Sequence, residues 1–457
     1  MQINEEYTVK IEKLVNEGKG IARVCDFPVF IENVCPEDVV KIKIDFVKKS
    51  YALASVVEII EKSKFRTEPK CPLHNACGSC NWQFIDYNEQ LNQKKNIVFE
   101  TLHKFADFDC DVQDTIASPL IYEYRCKVQY PVSQTKVSKR IVSGYYKKNS
   151  HELINIKYCP LQPDIINEIN ETVKSAAKDY GVTGYVEKLH TGMLRHIVYR
   201  ISSDLKNILV ILVINSKTSN PQIEKLANFI FTEFPQIKGV CVNFNDKKTN
   251  VILSKETKCI KGDDFYFEEL SGKKYRISAN SFFQVNPLCA EKIFDTVKQV
   301  ICERVEKPKI LDAYSGVSSF GIWLADIAST VVSVEECVSA SKDALKNVEL
   351  NNIKNLLVKN GDAALEFSKM IENGEIFDVS VTDPPRKGCS EESIANLIKL
   401  TSKFIVYVSC NVATLARDMK ILIQNGFKPV FIQPVDMFPH TYHVETIVLF
   451  EKAELCQ

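Results

Sequence analysis

The sequence carries no net charge, no apolar run long enough to cross a bilayer, no internal repeat and no low-complexity tract. Its 58 lysines and arginines balance 58 aspartates and glutamates. A dedicated nucleic-acid coat is basic overall, so any RNA binding must rest on local charge. The missing apolar run leaves no expected membrane span. The start, "MQINEEYTVK", is polar and acidic and lacks the basic and apolar stretches of a secretory signal. The 16 cysteines are therefore expected as thiols and metal ligands in a reducing cytoplasm, not as disulfides. No obligate protein partner is evident.

What is present is ordinary globular composition. The 457 residues are 45% hydrophobic and 25% charged, enough for two or three domains. Residues 1–62 alternate like short strands, with Gly18 and Gly20 where a turn or bulge is wanted. Five such strands predict a small OB-like barrel. A polar linker, "EKSKFRTEPK", follows. Residues 63–270 mix strand-like and helix-like segments and read as a central α+β domain. From Ile310 strands and helices alternate: "ILDAY", "TVVSVE", "NLLVKN", "FDVSVTD", "KFIVYVSC". That rhythm predicts a parallel, doubly wound, Rossmann-like α/β sheet over residues 271–457. The last two strand candidates, "KPVFIQPVDMF" and "HVETIVLFEK", have no helix between them, so an antiparallel strand is expected at the end.

Chemistry concentrates in a few places. "FIVYVSCNVATLARD" runs from a buried strand, through Cys410, into a helix-like stretch beginning at Val412. Cys410 therefore stands at the C-terminal strand edge, where open α/β sheets bind ligands. Cysteine is also a common small buried residue, so the motif alone does not decide. "TDPPRKG" ends a strand abruptly, because proline cannot donate to a ladder, and leaves Asp383 at the same edge. "DAYSGVSSFG" is a glycine-containing turn after the first strand, with Tyr314 and Gly316 placed to approach a nucleoside cofactor. The second strand ends in Glu335, the usual partner of ribose hydroxyls. Ahead of these, "CPLHNACGSC" brings Cys71, Cys77 and Cys80 into ten residues, with Cys159 as a fourth candidate. Three thiols at this density suit a tetrahedral metal or an iron–sulfur cluster. The C-x3-C-x2-C spacing of radical enzymes is absent, and a fourth cysteine points to a closed site. Residues 120–160 hold eight basic and two acidic side chains, interleaved with Tyr122, Tyr124, Tyr130, Tyr145 and Tyr146, a pattern suited to phosphate contact and base stacking. A solvated face with core tyrosines is the bland alternative.

Taken in order, "SFFQVNP", "DAYSGVSSFG", "DPPRKG", "VSCNVATLARD" and "MFPHTYHVE" resemble the motif series of the RNA uracil-C5 methyltransferases. The N-terminal segment resembles the TRAM domain of the ribosomal members, and the four cysteines resemble their [4Fe–4S] ligands. The resemblance implies S-adenosyl-L-methionine as methyl donor and ribosomal RNA, 23S foremost, as partner. It makes Cys410 the nucleophile and Glu445 the proton-abstracting base. Gln284, Tyr314, Glu335 and Asp383 match cofactor-pocket positions, with Asp362 in "NGD" as a further one. Ser318 occupies the place of a glycine, and Ser315 stands where many members carry cysteine. Such chemistry needs a thiolate, which the N-terminus of the following helix is expected to favour. Two other readings are the same reaction on transfer RNA, and a metal-stabilised RNA-binding protein whose catalytic centre has lapsed.

Overall fold

The computed structural model describes residues 1–105 and 108–453. The chain forms two compact units: Met1–Ser118, Pro385–Gly388 and Ser409–Val448 make the first, and Pro119–Pro384, Cys389–Val408 and Leu449–Gln457 the second.

The first unit opens with a six-stranded sheet, in the order Glu6–Lys10, Val39–Val47, Ala52–Glu61, Phe27–Ile31, Gly20–Val24, Lys13–Leu14. The alternation read from the sequence is the reason it forms. Val9, Ala22, Val29, Ile31, Val40, Ile42 and Ile44 point into one core. Six strands stand where five were expected. The sixth, Lys13–Leu14, is two residues long, too short to show a period, and pairs with Ile21 and Gly20 across a tight turn. Positive φ at Glu17 (66°) and Gly18 (77°) closes that turn. The helix Tyr87–Phe105 buries Ile97, Val98 and Leu102. From it Lys94 reaches Asp436 in a fully buried ion pair and donates to the Phe438 carbonyl at 3.1 Å. The loop that carries residues 436–438 is thereby fixed.

The second unit holds a seven-stranded central sheet and most of a parallel one. The central order is Thr257–Gly262, Ile237–Phe244, Ile208–Ile214, Leu194–Ile201, Lys127–Gln134, Ile141–Tyr146, Leu153–Asn155. "ILVILVI" is buried at every position. Lys127–Gln134 instead alternates, with Val128, Tyr130 and Val132 buried. Tyr130 donates to Gln162 at 2.7 Å, and Tyr199 donates to Asn170 of the helix Asp164–Asp179 at 3.2 Å.

The other sheet runs Leu356–Asn360, Thr330–Glu335, Lys309–Ala313, Phe377–Thr382, Thr401–Ser409, then Glu445–Lys452. The first five are parallel to their neighbours. Helices Ser319–Leu324, Val338–Leu350, Ala363–Glu372 and Glu391–Leu400 intervene, as the alternation predicts. Lys309–Ala313 lies mid-sheet, with the chain winding outward on either side. The crevice at its C-terminal end is the switch point where such sheets take ligands. The strand Phe427–Val435 lies beside Glu445–Lys452.

Candidate functional site

At the switch point the strand Lys309–Ala313 opens into a turn whose backbone is left-handed at Tyr314 (φ 58°), Gly316 (φ 57°) and Ser318 (φ 63°). A Cβ added at Gly316 would meet only the Phe282 carbonyl, at 4.0 Å, so backbone faces open space there. Glu335 holds this turn: its carboxylate accepts from the Gly316 N–H at 2.8 Å and the Cys337 N–H at 2.7 Å. A carboxylate has about four lone-pair directions, so acceptor capacity remains for ribose hydroxyls. Gln284 donates to Asp383 at 3.3 Å. Tyr314 is half-buried, and desolvation raises its hydroxyl pKa further. These are residues that fit a nucleoside cofactor: an open backbone cradle, a carboxylate with spare acceptors and an amide.

Asp362 behaves differently. It is exposed, and its carboxylate accepts from the Leu365 N–H at 3.1 Å as the N-cap of Ala363–Glu372. Capping already accounts for part of its acceptor capacity.

Sequence reasoning missed Asp312, quoted within the turn but given no part. It is 1% exposed and accepts from the Gly321 N–H at 2.9 Å and the Ser333 hydroxyl at 2.8 Å. Ser318 and Ser333 share a hydrogen bond at 2.6 Å. The serine in the glycine's place is thus tied into a buried network beneath the turn. Gly321 is obligatory there, because a Cβ would lie 2.5 Å from both serine hydroxyls. A carboxylate inside an apolar strand was the signal.

Burial pushes the Asp312 carboxyl up to about 7, and burial also raises Asp383. A carboxyl raised in the fold stabilises fully below its unfolded value of 3.8 and loses that contribution as pH rises through about 7. Asp312→Asn abolishes this titration. Its stability relative to wild type should therefore improve steadily from pH 4 to pH 8, by about 1 kcal/mol or more. Urea midpoints across that range check the sign; a flat difference refutes it.

In the first unit, Cys410 follows Ser409, the last residue of its strand, and precedes the helix Val412–Gln424. Asn411 caps that helix, accepting from the Ala413 N–H at 3.1 Å. The positive end of a thirteen-residue helix thus begins two residues beyond the thiol. The Asn411 amide and the Thr414 hydroxyl donate to the Arg386 carbonyl at 3.1 and 3.2 Å, and Arg417 donates to the Lys387 carbonyl at 3.0 Å. These bonds fasten Pro385–Gly388 to the helix. Gly388 stands at φ 76°, a left-handed backbone in which a substitution would be strained. Cys410, Arg386, Tyr442, His443 and Val444 line a cavity of about 220 Å³, with Glu17 among the others. Glu445 is the next residue along, 5% exposed, opening the strand Glu445–Lys452. Arg386 and Glu17 were not foreseen.

Cys71, Cys77 and Cys80 are half-buried on a run of turns, in which Cys77 N–H donates to the Leu73 carbonyl at 2.8 Å. Burial first, and the nearby Cys77, raise the Cys71 thiol. Cys159 is buried, its N–H held by Asn167 at 2.9 Å. Among the described residues, no three His, Cys, Asp or Glu side chains stand close enough to share a metal ion. The match to a cluster rests on the donor chemistry of four sulfurs.

With this geometry in view, known proteins provide a frame. Residues 86–453 match the tRNA (uracil-5-)-methyltransferase family, and residues 2–57 match the TRAM domain. An uncharacterized RNA methyltransferase of Clostridium acetobutylicum is 38% identical over 99% of this chain and 98% of its own length. One from Oceanobacillus iheyensis is 36% identical over 97% and 96%. The crystal structure of Pyrococcus abyssi tRNA (uracil-54, C5)-methyltransferase in complex with S-adenosyl-L-homocysteine superposes with a TM-score of 0.76 and 25% identity, covering 97% of this chain and all of that one. No helix among the described residues is long and apolar enough to cross a membrane. The chain belongs to the tRNA (uracil-5-)-methyltransferase family of S-adenosylmethionine-dependent RNA methyltransferases, with a TRAM domain at its start.

Proposed function

We propose that the protein methylates carbon-5 of a uridine in ribosomal RNA, 23S foremost, through a covalent bond between the base and Cys410. The observation that carries this reading is Cys410 itself: a thiol lining a cavity, at a strand end and before a helix N-terminus. Carbon-5 of uracil is too weak a nucleophile unaided. The Cys410 thiolate adds to carbon-6, and the electron pair displaced onto the ring makes carbon-5 an enolate carbon. S-adenosylmethionine supplies the electrophilic methyl group. Glu445 then removes the carbon-5 proton, the Cys410–carbon-6 bond breaks by elimination, and the thiolate is restored. Gln284, Tyr314, Gly316, Glu335, Asp362 and Asp383 hold the methyl donor. The target base must leave its stack to reach the thiol. On this reading residues 1–62 bind RNA, 63–270 form the central domain and 271–457 the methyltransferase domain, all working in the cytoplasm.

Transfer RNA is the second reading, favoured by the substrate named for the Pyrococcus abyssi enzyme. The TRAM segment and the cysteine set favour ribosomal RNA. Mapping 5-methyluridine in both RNAs from a strain lacking this protein decides. A missing ribosomal mark is expected; a missing transfer-RNA mark moves the assignment, and two intact RNAs overturn it.

On donor chemistry, Cys71, Cys77, Cys80 and Cys159 hold a [4Fe–4S] cluster whose role is structural. Protein purified without oxygen should be brown and carry about four irons per chain. Colourless protein with stoichiometric zinc refutes this.

A further inference from the structure

The second unit has a cavity of about 1120 Å³ on its central sheet, lined wholly by residues between 129 and 252, several of them from the basic, tyrosine-bearing stretch 120–160. Its floor includes Gln129, Pro131 and Ser133, which alternate with the buried Val128 and Tyr130 and so lie on the opposite side of the strand. One wall is the segment 245–252, and Arg195 builds it. Arg195 is 3% exposed and donates to the carbonyls of Asn245 (2.5 Å), Lys247 (2.8 Å) and Thr249 (3.2 Å), with its guanidinium 4.8 Å from the Tyr185 ring. The segment presents Lys248 to the cavity, and Lys188 lies on another side; both are exposed.

Two further features point to a ligand. His196 lines the cavity, and its Nδ1 is buried without a hydrogen-bond partner. A native structure rarely leaves such an atom unsatisfied. Burial, then Arg195, hold this imidazole down to about 4, so it is neutral at pH 7 and offers one donor and one acceptor. Tyr146, half-buried, presents an aromatic ring, with the His151 ring 5.2 Å away. His151 in turn faces Glu187 at 3.3 Å.

An aromatic face, a neutral polar edge and rim lysines on a sheet match an unpaired nucleotide: stacked base, bonded base edge, neutralised phosphate. A duplex exposes no base face to such a cavity. We propose that this cavity is a second RNA site, which takes an unpaired nucleotide of the substrate other than the one methylated. Its base lies on Tyr146 and bonds His196, and its phosphate lies near Lys188 and Lys248. The inference rests on reading the chain as an RNA methyltransferase.

The test uses the full chain and a short fluorescein-labelled single-stranded RNA, followed by anisotropy at low and physiological salt. Tyr146→Ala should bind at least about fivefold more weakly, and Tyr146→Phe like wild type, which separates stacking from folding. Lys188→Ala with Lys248→Ala should weaken binding about tenfold at low salt and flatten the salt dependence. In methylation of undermodified RNA, these variants should raise KM and leave kcat unchanged. RNA carrying 4-thiouridine should photo-crosslink to the peptide bearing Tyr146 or His196. Wild-type affinity and KM in the Tyr146→Ala and double-lysine proteins overturn this site alone, whatever else the cavity binds. A wild-type protein that neither binds nor methylates RNA overturns the enzymatic reading, and this site with it.

Discussion

Cys410→Ala is expected to abolish methyl transfer and leave the fold standing. The side chain is half-buried at a strand end, and the helix that follows is capped by Asn411, not by the thiol. Removing one sulfur there deletes no cap and opens no deep cavity. Chemically it removes the only group proposed to add to carbon-6, so no enolate forms at carbon-5. The loss should be on the order of 10⁴-fold or more, the scale seen when a covalent catalyst loses its nucleophile. RNA bearing 5-fluorouridine at the target sharpens the test. Fluorine cannot leave as the proton does, so wild type should stop as a methylated adduct, seen as a slow band on a denaturing gel. Cys410→Ala should give no band. Cys302→Ala, at an exposed helix end, is the control and should keep full activity. A Cys410→Ala protein that still methylates would sink the covalent mechanism.

Glu445→Gln should fail later on the path. Once carbon-5 carries the new methyl group, its proton must leave before the bond to Cys410 can break. Glutamine keeps the shape and loses the base, so addition and transfer proceed while elimination stalls. Turnover should drop by roughly 10²–10⁴-fold, the usual worth of a positioned general base. Ordinary RNA, without fluorine, should then accumulate as the methylated adduct. Asp383→Asn is the contrast. Asp383 accepts from Gln284 at 3.3 Å among residues assigned to the methyl donor, so its loss should slow the reaction without building up that adduct. If Glu445→Gln turns over normally, or Asp383→Asn is the variant that stalls, the base has been misassigned.

The parallel sheet, its strand ends and the positions of Cys410, Glu335 and Asp383 were legible in the chain. A buried parallel strand needs an unbroken apolar run, and its end is marked by the residue that breaks it: Cys410 after "FIVYVS", Asp383 before two prolines. Such signals are local, and one sequence carries them. The substitution of Ser318 for glycine was visible too, but not its consequence. Only the fold brings the Ser318 hydroxyl to Ser333 and Asp312, and only there does Asp312 become a buried carboxyl with a raised pKa.

Tertiary structure decided what depends on residues far apart along the chain. Asp362 looked like a cofactor ligand and is also a helix cap, because its neighbours turn helical at Ala363. Lys127 counted toward a basic surface, yet burial beside Arg200 lowers its pKa to about 7. The cavity at Cys410 gathers Glu17, Arg386 and residues 442–444, separated by hundreds of positions. The second cavity joins residues from 129 to 252 around the imidazole of His196. Periodicity encodes which face of an element is buried. It carries no information on which distant element covers that face, and that pairing is set by packing and register alone.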